Sequence, residues 1–192
     1  MVISLVGGNL MNLTDLQKQA GQSTELPVYP VQDWHPAHCG EIDILIQKNG
    51  IWLHEGGEIK RPQLVRLFSA LLKRENNQYF LVTPAEKLSI RVEDQPFQVV
   101  LVEAQNEREK ACIEIITNVG ESLIVGPEHP VKLLPLGNEE LPVVLVRDDL
   151  WARFSRNAYY QLIEMGYEVT SEAGKTELMV KSGGESFLVG RF

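Results

Sequence analysis

Apolar and polar residues alternate through "EIDILIQ", with Ile42, Ile44 and Ile46 two apart. A period of two sets one side of a strand against a core and the other toward water. The following "KNG" is a turn signal, because Asn-Gly accepts the positive φ of a tight hairpin. "IWLHE" reads as the returning strand, and "GGEI" breaks it. The period then changes. Leu64, Leu67, Phe68, Leu71 and Leu72 recur at helical spacing, so "RPQLVRLFSALLKRE" predicts a helix with Pro62 at its first position. After "NNQ", the stretches "YFLVTP" and "LSIRVE" predict two further strands.

The second half follows a similar order. "QVVLVEA" and "ACIEIIT" predict a hairpin, and "SLIVG", "VKLLPL" and "VVLVR" predict further strands. "DDLWARFSRNAYYQLIEMG" is expected to be a helix, capped by Asp148 or Asp149 and ended by Gly166. "ELMVKSGGESFLVG" closes with a hairpin around Gly183-Gly184. Ahead of all this, residues 11–24 predict a short helix ending near Gly21, with Asn12 or Thr14 as cap. Pro27 and Pro30 mark an extended approach to Trp34.

Hairpin, helix, hairpin thus occurs twice, an internal duplication of pattern rather than of identity. Strands joined hairpin to hairpin make antiparallel sheets with a helix on one face. The expected fold class is α+β: two tandem units, residues 31–97 and 98–192, behind a tail over residues 1–30. The boundary is placed near Pro96–Gln98.

Composition narrows the function classes. The apolar fraction of 44% is enough for a core. A net charge of -8 argues against a nucleic-acid binder and against adsorption to an anionic membrane. It leaves room for a basic pocket that takes a small anion. Two cysteines, Cys39 and Cys112, are too few for a disulfide framework. "MVISLVGGNL" lacks the basic n-region of a signal peptide, and its apolar run is too short. No apolar run reaches the roughly 18–20 residues of a membrane span. The expected location is the cytoplasm.

The densest chemistry is "WHPAHCG", residues 34–40. His35, His38 and Cys39 offer at most three zinc ligands, with no partner pair elsewhere, and His54 and His129 stand alone. No metal site is expected. A nucleophilic Cys39 would need a facing histidine and a depressed pKa. Read plainly, the stretch is a proline-shaped turn, with Trp34 and Cys39 buried and Gly40 relieving strain.

Arg61 directly precedes Pro62. A guanidinium beside a helix N-terminus attracts phosphate or carboxylate, and Lys60 adds charge. An ion pair with Glu58 or Glu55 is the alternative. In "TPAEK", Thr83 and Glu86 have capping-box spacing around Pro84, which reads first as turn chemistry, although Glu86 and Lys87 could line a pocket. Arg147, Arg153 and Arg156, with Tyr159 and Tyr160, form either a solvated face or a second anion-facing edge. Phosphate-loop, dinucleotide, zinc-protease and serine-hydrolase motifs are missing, and no catalytic set nominates itself.

The stretch from Trp34 to Phe97 also has a familiar order. Trp34, Pro36, Cys39, Gly40, Asp43, Gly50, Trp52, Ile59, Arg61, Leu67, Phe68, Thr83, Pro84, Glu86, Lys87, Asp94, Pro96 and Phe97 resemble the pattern of the bacterial family called Domain of Unknown Function 1285. "VRDDLWARFSRNAYYQLIE" resembles it more loosely. The resemblance implies a duplicated α+β core and a C-terminal unit superficially like pleckstrin-homology folds. It also implies a site between the units for a nucleotide-like ligand and a role in signal transduction. It implies no established activity, and His35 and His38 are outside the pattern.

The function expected from these readings is binding or regulation by a nucleotide-like small molecule. Arg61 is expected to take an anionic group, and Trp34 or Trp52 to stack. Thr83, Glu86 and Lys87 are expected to add polar contacts, with Arg156 from the second unit. An enzyme using Cys39 and a protein-interaction module are the alternatives. No cofactor, protein partner or catalytic residue can be named from the sequence.

Overall fold

The computed structural model describes residues 13–15, 28–107, 110–136, 139–170 and 174–191. They fall into two compact units that meet after Asp94. Each is taken by itself.

In the first unit a 3-10 turn at Val31–Asp33 leads into β1 (His38–Ile46), β2 (Trp52–His54) and β3 (Gly57–Glu58). Helix α1 (Pro62–Ala70) follows, then β4 (Leu72–Glu75), β5 (Gln78–Val82) and β6 (Glu86–Val92). The sheet order is β3-β2-β1-β6-β5-β4. It consists of two three-stranded meanders, joined where β1 meets β6. That junction is parallel, with Cys39 opposite Lys87 and Ile46 opposite Val92. The expectation of antiparallel sheets therefore holds for every pair of this sheet except β1–β6. The connection between β1 and β6 is long enough to allow it, since parallel partners need a crossover rather than a hairpin.

The predicted helix is shorter than its apolar pattern. It stops at Ala70, and Leu72 already lies in β4. Leu71 and Leu72 continue the helical spacing but are fully buried, where a strand uses them equally well. Asn76 and Asn77, both with positive φ, turn the chain tightly into β5. The core lies between α1 and the sheet: Trp52 packs on Phe68 with ring centroids 6.2 Å apart, above Ile46, Leu72 and Leu81. Of the helix expected over residues 11–24, residues 13–15 are helical, and the rest lies outside the described residues.

The second unit holds β7 (Phe97–Glu107), β8 (Lys110–Thr117), β9 (Ser122–Ile124), β10 (Val131–Leu136), β11 (Glu139–Arg147) and β12 (Leu150–Phe154). Helix α2 (Arg156–Glu164) follows, then β13 (Gly166–Thr170), β14 (Thr176–Ser182) and β15 (Glu185–Arg191). The six-stranded sheet runs β10-β11-β12-β7-β8-β9. Read from its other end, this is the strand order of the first unit. Again two meanders join through one parallel pair, here β12 with β7. The duplication is thus carried by the sheet. The helix does not keep its place: α1 sits between its two meanders, and α2 follows both. A separate antiparallel sheet, β13-β14-β15, completes the unit.

"DDLWARF" departs from expectation. Asp148 and Asp149 form a turn, Asp148 with φ 48, and Leu150–Phe154 is a strand. Leu150, Trp151, Ala152 and Phe154 are all buried, a short apolar run that the longer helical pattern had absorbed. The cap of α2 is Ser155, whose hydroxyl accepts the Ala158 N–H at 3.2 Å.

Gly166 begins β13 instead of closing α2 in a left-handed cap. It must be glycine for lack of space. A Cβ there would stand 2.7 Å from Leu178 Cδ1 and 3.0 Å from the Ile163 carbonyl oxygen. Gly166→Ala is expected to destabilise the protein by about 1–3 kcal/mol, the usual cost of overpacking. Urea unfolding measures it, and a loss below about 0.3 kcal/mol would contradict this contact.

Candidate functional site

Strand register sorts the first sheet into two faces. Trp52 packs on α1 and pairs with Ile46, which pairs with Val92. Residues in phase with Val92 along β6, such as Ile90 and Leu88, therefore face α1. Lys87, Ser89 and Arg91 face the other way. Their cross-strand partners extend that second face: Cys39 beside Lys87, and Phe80 and Lys73 in line with Ser89.

Charge gathers on this second face. Glu75, the last residue of β4, reaches two ammonium groups at once. Its Oε1 lies 3.1 Å from Lys73 Nζ and its Oε2 2.8 Å from Lys87 Nζ. Lys73 is only 6% exposed. An ammonium so buried persists only where acceptors replace water. The Glu75 carboxylate is one such acceptor, and the Gln32 carbonyl, 3.4 Å away, is another. Lys87 also lies over the Phe80 ring, 4.9 Å from its centroid. The Lys87 hydrogen bond, followed by that of Lys73, holds the Glu75 carboxyl below its ordinary range, and the same bond holds the Lys87 ammonium above its own.

Gln32 belongs to the 3-10 turn, and Trp34 follows it by two residues. The bond from Lys73 therefore ties the aromatic segment to this face. Tyr29 and Trp34 pack together at 5.8 Å between centroids, and burial pushes the Tyr29 hydroxyl up in pKa. Trp34 itself is half-buried, so it keeps part of its surface accessible.

The other expected site residues scatter. Trp52 is 2% exposed and belongs to the core, so its ring is not open for stacking. Its Nε1 is buried with no hydrogen-bond partner among the described residues. Thr83 is buried as well, and its hydroxyl is spent locally, accepting the N–H groups of Ala85 and Glu86 at 3.3 and 3.1 Å. "TPAEK" is a tight turn into β6, with no helical turn inside it. Glu86 is half-buried, and its Oε1 accepts the Leu13 N–H at 2.8 Å. Arg61 is exposed at the start of α1, which has no side-chain cap, so it belongs to the helix covering the first face. Arg156 is exposed in the second unit, where it lies over Tyr160 of its own helix, 5.7 Å from the ring centroid.

Cys39 is exposed, not buried as expected, because it stands on the polar face of β1. His35 Nδ1 lies 3.0 Å from the Asp33 carbonyl oxygen, and His38 faces the opposite side of β1 from Cys39. Among the described residues, no three His, Cys, Asp or Glu side chains come together as a metal site. Nor is any described helix long and apolar enough to cross a membrane.

Lys73 and Glu75 are functional candidates that sequence reasoning passes over. Both lie in "LLKRE", which reads as the charged end of a helix. The available signal was alternation: Lys73 and Glu75 are two apart, as strand neighbours on one face must be.

Comparison with known proteins gives a consistent result. Residues 29–95 match the model "Domain of unknown function (DUF1285), N-terminal domain", and residues 96–189 match "Protein of unknown function (DUF1285), C-terminal domain". The chain is similar to the crystal structure of a DUF1285 family protein from Silicibacter pomeroyi DSS-3, with 36% identity and a TM-score of 0.76 over 91% of this chain and 94% of that one. It is also similar in fold to a DUF1285 family protein from Shewanella baltica OS155, with 23% identity and a TM-score of 0.51 over 63% of this chain and 90% of that one. No curated protein matches.

Proposed function

The chain belongs to the DUF1285 family, and from that premise we propose that it is a cytoplasmic regulatory protein that binds a nucleotide-like anion and takes part in signal transduction. One observation carries the reading: Lys73 and Lys87 converge on a single carboxylate-sized spot, on the face to which the Trp34 segment is tied. Two ammoniums suit a phosphate or carboxylate group, and a half-open indole suits a base. Ligand sites typically combine a few convergent polar groups with aromatic surface in this way.

Arg61 and the exposed start of α1 form a separate place for an anion, on the other face of the same sheet. Variants separate the two. In calorimetric titrations with ATP, GTP and cyclic nucleotides, Lys87→Gln is expected to weaken binding by about tenfold, the scale of one lost charge-assisted contact. Arg61→Ala is expected to leave that binding in place. The opposite result would move the site to α1, and binding that neither variant changes would sink both assignments.

A further inference from the structure

The lysine pair is already filled by a group of the protein itself, and the manner of filling is specific. Glu75 gives one oxygen to each lysine, as a bridging phosphate or carboxylate would. Among the described residues, the remaining acceptor of Lys73 is a backbone carbonyl, which satisfies a hydrogen bond but carries no net charge. If Glu75 moved away, two ammoniums would face one small space with no other carboxylate paired to either among the described residues. Glu75 is also placed to move. It is the last residue of β4, next to the Asn76-Asn77 turn, and its side chain remains 33% exposed. Water can take over its carboxylate at modest cost. For Lys73, with a side chain only 8% exposed, water cannot do the same.

We propose that Glu75 holds the place of the ligand's oxyanion, and that binding is an exchange in which a phosphate or carboxylate group displaces the Glu75 carboxylate from Lys73 and Lys87. This rests on the anion-binding reading above and adds its regulation. The bond network of the first unit changes only when an anion strong enough to compete with Glu75 arrives. A weak or singly charged anion gains little from the exchange. A polyphosphate gains more, because its charge exceeds that of the group it replaces.

The exchange predicts an inverted mutational result. Removing a negative charge that stabilises the two lysines improves ligand binding. Glu75→Gln keeps an acceptor oxygen but not the charge, and is expected to bind ATP about five- to tenfold tighter than the wild type, the scale of two partly exposed ion pairs no longer surrendered. Glu185→Gln, an exposed change in the second unit with the same effect on net charge, leaves affinity unchanged. Circular dichroism confirms that each variant is folded at the titration temperature.

A wild-type measurement makes the result independent of the variant's stability. The Glu75 side-chain carboxyl carbon is followed by nuclear magnetic resonance across pH, with and without ATP. Glu75 is expected to titrate below the ordinary carboxylate range without ATP and within it when ATP is bound. If ATP binds and the Glu75 signal does not move, the exchange is wrong while anion binding stands. If Glu75→Gln is folded and binds no tighter than wild type, the exchange is likewise overturned. If neither protein binds ATP, pyrophosphate or inorganic phosphate, the anion-binding reading falls and the exchange with it.

Discussion

Trp52→Ala is expected to cost about 3–5 kcal/mol, the range for removing a buried tryptophan. The side chain is 2% exposed and fills the layer between α1 and the first sheet, against Phe68. Trp52→Phe is expected to cost far less, about 1 kcal/mol, because an aromatic ring still fills most of the space. The indole Nε1 has no hydrogen-bond partner among the described residues, so phenylalanine loses no bond there. Urea unfolding measures both. The same pair of variants tests the expectation that Trp52 stacks on a ligand. As a core residue, Trp52→Phe leaves nucleotide affinity unchanged. A folded Trp52→Phe that has lost nucleotide binding would put the ring back in the site.

Ser182→Ala removes a single oxygen, yet its expected cost is roughly 2–4 kcal/mol, because two buried backbone groups lose their partner together. Ser182 ends β14 and is 0% exposed. Its hydroxyl donates to the Val125 carbonyl at 2.6 Å and accepts the Ile113 N–H at 2.9 Å. Ile113 lies in β8 and Val125 just after β9, so one hydroxyl joins the small β13-β14-β15 sheet to the large one. The neighbouring Gly183 N–H donates to the Ala111 carbonyl at 3.1 Å and marks the same seam. Hydrogen exchange at Ile113 gives the local readout: its amide is expected to lose protection in the variant. A loss of stability below about 0.5 kcal/mol, with Ile113 still protected, would show that another group takes over the bonds.

Neither residue announces itself in the chain. Ser182 stands beside Gly183-Gly184, where a serine reads as turn chemistry. Only the packing of one sheet on another makes it a joint. Trp52 lies in the short apolar run of "IWLHE" just after the Asn-Gly turn, which correctly indicates a returning strand. Such a run says that the strand is covered, without saying whether a helix or a ligand covers it.

The candidate site divides along the same line. Trp34 stood out in the sequence as an aromatic in a proline-shaped turn, and Lys87 as a residue of "TPAEK" that could line a pocket. Thr83 was legible too, in the role its spacing favoured, a turn in which its hydroxyl takes two N–H groups. Lys73 and Glu75 were hidden by a competing period. Leu71 and Leu72 extend the helical spacing of α1, so the charged residues after them looked like a solvated helix end. Burial of both leucines in the sheet layer decided otherwise. The same competition hid β12, whose apolar run "LWARF" is short beside the helix that follows.

Local chemistry therefore determined what the sequence could state alone. The period-two strands, the Asn-Gly turn, the two helices and the α+β class all follow from neighbours within a few residues. The tertiary structure decided which strands meet. The parallel pairing of β1 with β6 sets Cys39 beside Lys87, and the β4–β5–β6 register sets Lys87 within reach of Glu75. A side chain's partner across a sheet depends on register between distant segments. Register is fixed by burying the whole apolar face at once, and no window of sequence contains that sum.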